Sequence, residues 1–319
     1  MMAAGMHFSD TDTRSSSGST FSLSFSPCHL CPRDCGADRT VSPGYCGQLD
    51  APRAARAALH HWEEPCISGT RGSGTIFFTG CALRCCFCQN YHISQENLGK
   101  TVTPAGLCRM MLRLQDEGAH NINLVTASHF LPSVLEALSM AKPHLHIPVV
   151  YNCGGYEKPG LIDALNGYVD IWLPDFKYFS PQLSKKYSGA ADYFEVASRA
   201  ILQMAAQSGP PVMDEDGLLK RGTIVRHMVL PGCKSDSFQI LGWLADHLAP
   251  DRFLISLLSQ YTPFYKSSEH PELNRRITSY EYSQVVEEAL RLGFTNGFMQ
   301  EKSSAKEEYT PPFDLTGID

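Results

Sequence analysis

Residues 81–88 read Cys81-Ala82-Leu83-Arg84-Cys85-Cys86-Phe87-Cys88, which places four of the chain's twelve cysteines within eight positions. A disulfide framework does not account for this crowding. A bridge needs Cβ atoms ~3.5–4.5 Å apart in a defined torsion, and close sequence neighbours rarely meet that. Thiolates gathered on a metal or an iron–sulfur cluster do account for it. With Cys81, Cys85 and Cys88 as the ligands the spacing is C-x3-C-x2-C. Three thiolates on one short loop hold three irons of a cubane and leave the fourth iron open, and an open position is a binding site.

Working outward, residues 75–78 just upstream form a short β-rich run, and the same kind of run recurs at 121–125, 148–151, 169–173, 224–230 and 253–258. Helical patterns lie between them at 104–118, 132–141, 161–166, 192–207 and 236–248, and a last one at 280–292. Pro104 and Pro132 suit a first helical turn, where the missing N–H costs nothing. Strands alternating with helices predict parallel β-α units. Six such units predict an α/β fold, a partial (β/α)6 TIM-type barrel, with an open doubly wound sheet as the alternative. The expected boundaries are a disordered leader at 1–26, a cysteine-rich module at 27–66, the barrel at 67–300 and a tail at 301–319. Residues 51–64, rich in alanine, read as a short helix or strand packed on the barrel.

Bulk properties narrow the class. A net charge of −6 with no Lys/Arg run argues against a nucleic-acid surface. No apolar stretch approaches the ~20 residues that cross a bilayer, so no membrane partner is expected. The N-terminus lacks a basic region followed by an apolar one, so it does not read as a secretory signal. Twelve cysteines in that context point to a reducing cytoplasm, where clustered thiols bind metals more often than they pair.

Parallel barrels carry their chemistry at the C-terminal ends of the strands. The residues expected there are the cysteine loop, Thr126 and Ser128 with His129, Asn152 with Gly154 and Gly155, Asp175 with Lys177, Arg226, and the 259–261 stretch.

The C-x3-C-x2-C loop after a first strand, with an aromatic Phe87 before its third cysteine, resembles the signature of the radical S-adenosylmethionine (SAM) superfamily. Residues 72–90, GSGTIFFTGCALRCCFCQN, look like the matching segment of glycyl-radical-enzyme activating enzymes of the pyruvate formate-lyase type, and residues 28 to about 300 resemble the poorly characterised branch related to those enzymes. It implies a [4Fe–4S] cluster on Cys81, Cys85 and Cys88 that chelates SAM and cleaves it reductively to a 5′-deoxyadenosyl radical, which abstracts hydrogen. Cys86 matches no ligand of that pattern and reads as a bystander. Phe87 is expected against the adenine. Asp175 and Lys177 match an Asp-x-Lys pair of the activating enzymes, Arg226 their Arg-bearing fifth strand, and Asn152 the turn after their third. Lys177 or Arg226 would then meet the SAM carboxylate. The usual Gly-Gly-Glu-like stretch is replaced by VTASHF, so Thr126 and Ser128 are left to supply oxygens for the SAM amino group. A low-potential electron donor such as flavodoxin or ferredoxin is the implied partner, with a protein as the implied substrate. Modification of a small molecule or peptide is the alternative, and a non-catalytic metal scaffold a further one.

Cys28, Cys31, Cys35 and Cys46 form a second group in a Pro/Gly-rich span. Four thiols suit a closed site, either structural zinc or a second iron–sulfur cluster. Metal binding would also explain how so small a segment folds. His29, His60 and His61 are secondary candidates. Cys66, Cys108, Cys153 and Cys233 read as structural, although Cys153 falls at a strand end.

Overall fold

The computed structural model describes residues 21–300 and 310–318. Residues 1–20 of the expected leader, and 301–309 and 319 of the expected tail, lie outside the described residues. In chain order the elements are β1 (Arg53–His60), α1 (Pro65–Ser68), β2 (Ser73–Phe78), α2 (Tyr91–Ser94), β3 (Lys100–Thr101), α3 (Pro104–Asp116), β4 (Ile122–Val125), α4 (Leu131–Ala141), β5 (Val149–Cys153) and α5 (Pro159–Ala164). They continue with β6 (Ile171–Pro174), α6 (Pro181–Ser188), α7 (Tyr193–Ser208), β7 (Val212–Met213), β8 (Leu219–Met228), α8 (Lys234–His247), β9 (Leu254–Leu258), α9 (Ser279–Arg291) and β10 (Gly297–Met299).

One sheet runs in the order β10-β9-β8-β6-β5-β4-β2-β1-β3, with β7 paired to β8. From β2 to β10 the pairings along this path are parallel, as expected of a partial barrel. Three features go beyond the six predicted units. β10 adds a seventh parallel strand beside β9. Residues 51–64 supply a strand, not a helix, and β1 pairs antiparallel with β2, so the sheet begins at residue 53 rather than within 67–300. Helix α6 fills a stretch where no helix was expected.

The strands read as near-continuous apolar runs because both faces are covered. All residues of β2, β4, β5, β6 and β9 are buried. Side chains alternate between faces. Tyr151 and Trp172 face the outer helices, packing with Met111, Val134 and Leu138. Val150, Ile171, Ile224 and Leu254 form a separate inner cluster, closed off by Cys66 and Ile67 of α1. Helix starts are set locally. Thr103 accepts a hydrogen bond from the Gly106 N–H with Pro104 in the first turn of α3, and Thr278 and Glu281 form a reciprocal capping box on α9.

Both ends of the described residues are engaged. Phe21, within the segment expected to be a leader, packs on the outer core. Residues 310–318 run along β1. The Leu315 N–H donates to the Ala55 carbonyl at 3.1 Å and the Ala57 N–H to the Thr316 carbonyl at 2.9 Å, while Ile318 is buried among core residues.

Candidate active site

A cavity of about 240 Å³ opens at the C-terminal ends of the parallel strands. The loop after β2 lines one side with Cys81, Cys85, Phe87 and Cys88. Opposite lie Thr126, Asn152, Cys153, Asp175, Lys177 and Arg226, from the ends of β4, β5, β6 and β8. His60 enters from the end of β1, Trp62 and Glu63 from the segment after it, and Thr310 and Pro311 from the C-terminal segment.

The cysteine loop is held close to its neighbours. Arg84 adopts a φ of 54° at its turn. At Gly154 a side chain would place Cβ 2.6 Å from Leu83 Cδ1. Glycine there lets the turn after β5 meet the loop. Each expected ligand sulfur has a donor aimed at it. The Leu83 N–H lies 3.4 Å from Cys81 Sγ, the Ser188 hydroxyl 2.9 Å from Cys85 Sγ and the Ser94 hydroxyl 3.3 Å from Cys88 Sγ. Cys86 Sγ is outside the cavity lining. Burial pushes the Cys81 thiol up and the Cys88 thiol up to about 12, so a metal must displace protons to bind them.

A chain of charged side chains crosses the cavity floor. Lys177 Nζ donates to Asp175 Oδ2 at 2.6 Å. Arg226 donates from Nε to Asp175 Oδ1 at 2.9 Å, from Nη1 to Glu63 Oε2 at 3.1 Å and from Nη2 to Asn152 Oδ1 at 2.6 Å. The Asn152 and Asn123 amides both donate to Glu63 Oε1, at 3.2 and 3.1 Å. Burial alone would raise the Asp175 carboxyl, but Arg226 and Lys177 outweigh it and hold the group below the usual range. Burial pushes both Glu63 and Glu64 up, opposed by Arg226. Burial opposes the charge on Lys177, but Asp175 outweighs it and raises the ammonium's pKa.

Several expectations change here. The guanidinium fork of Arg226, read as a clamp for the SAM carboxylate, is engaged by Asp175, Glu63 and Asn152. Lys177 has Asp175 as its hydrogen-bond partner and lies within electrostatic reach of Cys85 and Cys81. Ser128 does not line the cavity. Its hydroxyl donates to Glu157 Oε1 at 2.7 Å and accepts from the Tyr151 hydroxyl at 3.0 Å. His129 neither reaches the cavity nor caps a helix by its side chain; Nε2 lies 2.7 Å from the Thr79 carbonyl. Burial drives its pKa down to about 3, with Arg39 adding to the effect, so Nε2 carries the proton and donates. Thr126 does line the cavity, with a φ of 60° that a β-branched residue rarely adopts. Phe87 stands edge-on to Tyr261 at 5.8 Å and Tyr187 at 6.5 Å. Glu63 was missed by sequence reading. An acidic pair after a strand looks like a solvated turn, and only the antiparallel placement of β1 carries it under the barrel mouth.

The Radical SAM superfamily profile matches residues 75–232, the span from β2 to the end of β8's loop. A curated relative, the uncharacterized protein MJ0674 of Methanocaldococcus jannaschii, is 30% identical over 276 residues, covering 82% of this chain and 74% of that protein. The chain belongs to the radical SAM superfamily. A radical SAM protein uses a [4Fe–4S] cluster and SAM, and these are its cofactors. The three sulfurs, each with a hydrogen-bond donor and all facing one cavity, fit that cluster. Among solved structures, Streptococcus suis SuiB bound to precursor peptide SuiA matches 69% of this chain and 46% of its own length at 13% identity, TM-score 0.48. A domain of pyruvate-formate lyase-activating enzyme from Bacteroides vulgatus matches 54% of this chain and 91% of its own at 12% identity, TM-score 0.40. Methylornithine synthase (PylB) matches 69% and 60% at 15% identity, TM-score 0.44. The radical SAM chain thus spans about half the length of SuiB. None of its helices among the described residues is long and apolar enough to cross a membrane.

Proposed function

We propose that this radical SAM enzyme abstracts hydrogen from a protein or peptide segment, in the manner of an activating enzyme, with Cys81, Cys85 and Cys88 holding the cluster. The observation that carries the reading is the placement of Asp175 and Lys177 across one cavity from the cysteine loop, where the Asp-x-Lys pair of activating enzymes is expected. When bound, the cluster and SAM supply one-electron cleavage and hydrogen abstraction. The chain's own residues bind, orient and exclude water. Lys177 offers an ammonium to the SAM carboxylate. Leu83 and Phe87 give the cavity an apolar wall, and burial of aromatic surface there favours a base over water. Backbone groups near Thr126, held by the bond from the Thr126 N–H to the Asn152 carbonyl at 2.8 Å, are placed to meet the amino group. A low-potential electron donor such as flavodoxin or ferredoxin serves as reductant.

A second reading, radical modification of a small molecule, is favoured by the charged floor. Glu63, Arg226 and Asn152 form a compact polar set at the base of a walled cavity, the pattern by which small-ligand sites fix orientation. Anaerobic incubation with SAM and a strong reductant is the test. Cleavage to 5′-deoxyadenosine that rises when a candidate protein is added, with a radical signal on that protein, supports the first reading. Stimulation by small molecules alone favours the second, and no SAM cleavage by the cluster-loaded protein removes both.

A further inference from the structure

Arg39, in the N-terminal cysteine module, is fully buried yet makes no ion pair among the described residues. Its Nε donates to the Gln48 carbonyl at 3.0 Å, and its two terminal nitrogens donate to the Leu49 and His129 carbonyls. The guanidinium stacks near Phe25 at 4.9 Å and Phe130 at 5.5 Å. Carbonyls and ring faces solvate a cation but do not neutralise it, and a buried charge is retained only with a counter-charge. The remaining contact is Cys28 Sγ, 3.7 Å from Nη1.

Around that sulfur lie the other three thiols. Cys35 and Cys28 touch, and Cys31 and Cys46 are within electrostatic reach of Cys28. Cys28, Cys31 and Cys46 are buried and Cys35 is exposed. Gly44 allows this approach, since a Cβ there would stand 3.4 Å from Cys35 Sγ and 3.1 Å from Arg39 Cδ. Among the described residues no three metal-ligating side chains converge as tightly as a lone ion requires. A cubane, whose irons occupy separate corners, needs no such convergence.

We infer that Cys28, Cys31, Cys35 and Cys46 hold a cubane iron–sulfur centre as four thiolates, and that Arg39 is the counter-charge of its net negative charge. Four thiolates exceed the charge of an oxidised cubane core, so the centre supplies the anion that Arg39 lacks. The residue also pins the centre to the barrel. The same guanidinium that meets Cys28 Sγ holds the His129 carbonyl, just beyond the β4 end. Cys46 lies on the other flank of the active-site loop, where its carbonyl would be 2.8 Å from a Cβ at Gly80, the residue before Cys81. The centre therefore braces the loop that carries the SAM cluster.

The test uses the full chain carrying C81A, C85A and C88A, so that only the module binds metal. One arm reconstitutes it anaerobically with ferrous iron and sulfide, the other with zinc chloride. Retention of iron against a competing chelator supports the site; a protein retaining only zinc, or neither metal, overturns the inference. Arg39→Met in that background is expected to weaken metal retention at least tenfold, with Arg39→Lys nearer the parent. After metal removal the order reverses, and Arg39→Met melts above the parent because the lone cation is gone. An Arg39→Met protein that keeps metal like the parent, and shifts the melting temperature equally with and without it, overturns the role of Arg39. If that variant does not fold with metal, C28S/C31S/C35S/C46S with and without Arg39→Met decides. Rescue of the thiol-free protein by the methionine supports the charge pairing, and no rescue overturns it.

Discussion

Glu63 and Arg226 meet at 3.1 Å across the floor of the cavity, joining a segment that precedes the barrel to a strand in its middle. The pair is largely buried and shares its atoms with Asp175, Asn152 and Asn123, so it acts as a structural keystone under the candidate site. Removing one partner of such a pair leaves the other charge buried alone, which costs about 3–5 kcal/mol. Arg226→Ala is therefore expected to lower folding stability by that order, measured by urea denaturation. A variant that keeps its stability and loses only SAM affinity would return Arg226 to the role of carboxylate clamp.

Lys177 sits at the other end of the same chain, on the side of the cysteine loop. Its ammonium makes one ion pair, with Asp175, and retains donor capacity toward the cavity. Lys177→Ala is expected to weaken equilibrium SAM binding about ten- to a hundred-fold, since ~1.4 kcal/mol is a factor of ten and a charge-assisted hydrogen bond is worth ~1.5–3 kcal/mol. Iron content should match the parent. Unchanged SAM affinity would shift the carboxylate contact to backbone groups near Thr126 and Asn152.

The contrast between these two residues shows what the sequence made legible. The alternation of strand and helix, with Pro104 and Thr103 setting one helix start, marked the parallel units, because a buried parallel strand is a short apolar run between turn signals. The spacing of Cys81, Cys85 and Cys88 marked the loop that lines the cavity because ligand spacing on one loop is local. Glu63 was not legible. Its function depends on β1 pairing antiparallel with β2 and on α1 plugging the barrel, and both are long-range facts. The same holds for Ser128, which looked available in VTASHF but is taken up by Glu157. Residues 310–318 belong to the stretch read as a tail, and which surface they cover was a long-range fact: Phe313 packs on Phe77 at 5.4 Å.

Each of Cys81→Ala, Cys85→Ala and Cys88→Ala should abolish reductive SAM cleavage and lower iron content, while Cys86→Ala retains both. Cys86 packs against the core from outside the cavity lining, and its backbone is hydrogen-bonded. Its N–H donates to the Tyr187 carbonyl and its carbonyl accepts from the Lys266 N–H. Iron analysis with 5′-deoxyadenosine quantitation on the four variants checks this, and a triple-Ala protein that still cleaves SAM would refute the ligand set.

Arg33 ties the cysteine module to the active-site loop. Nε donates to the Ala82 carbonyl at 2.7 Å and Nη2 to the Ser188 carbonyl at 2.8 Å, with the guanidinium stacked 4.3 Å from the Tyr45 ring. Arg33→Ala is expected to loosen the loop without removing a ligand. Cluster iron should be lost several-fold faster to a chelator, with initial iron loading unchanged. A loss rate equal to the parent's would show that the loop holds itself.

Glu157 gives a pH signature with a definite sign. It is buried behind the turn after β5, accepts from the Ser128 hydroxyl at 2.7 Å, and has no partner for Oε2 among the described residues. Burial pushes the carboxyl up to about 8, and the hydrogen bonds from Ser128 and Cys153 only partly oppose this. Unfolded, the group titrates near ~4.3. Between those values the native state holds a proton that the unfolded state has released, so stability falls as pH rises, by at most ~1.4 kcal/mol per unit. The contribution is fully present below the unfolded pKa and lost once pH passes the folded one. Glu157→Gln keeps the shape and removes the proton. Its stability relative to the parent should therefore climb from pH 5 to pH 8 and level off above, as read from urea midpoints of the two proteins loaded with metal alike. A difference that stays flat across that window would mean that Glu157 is ionised in the native state and finds a counter-charge in the fold.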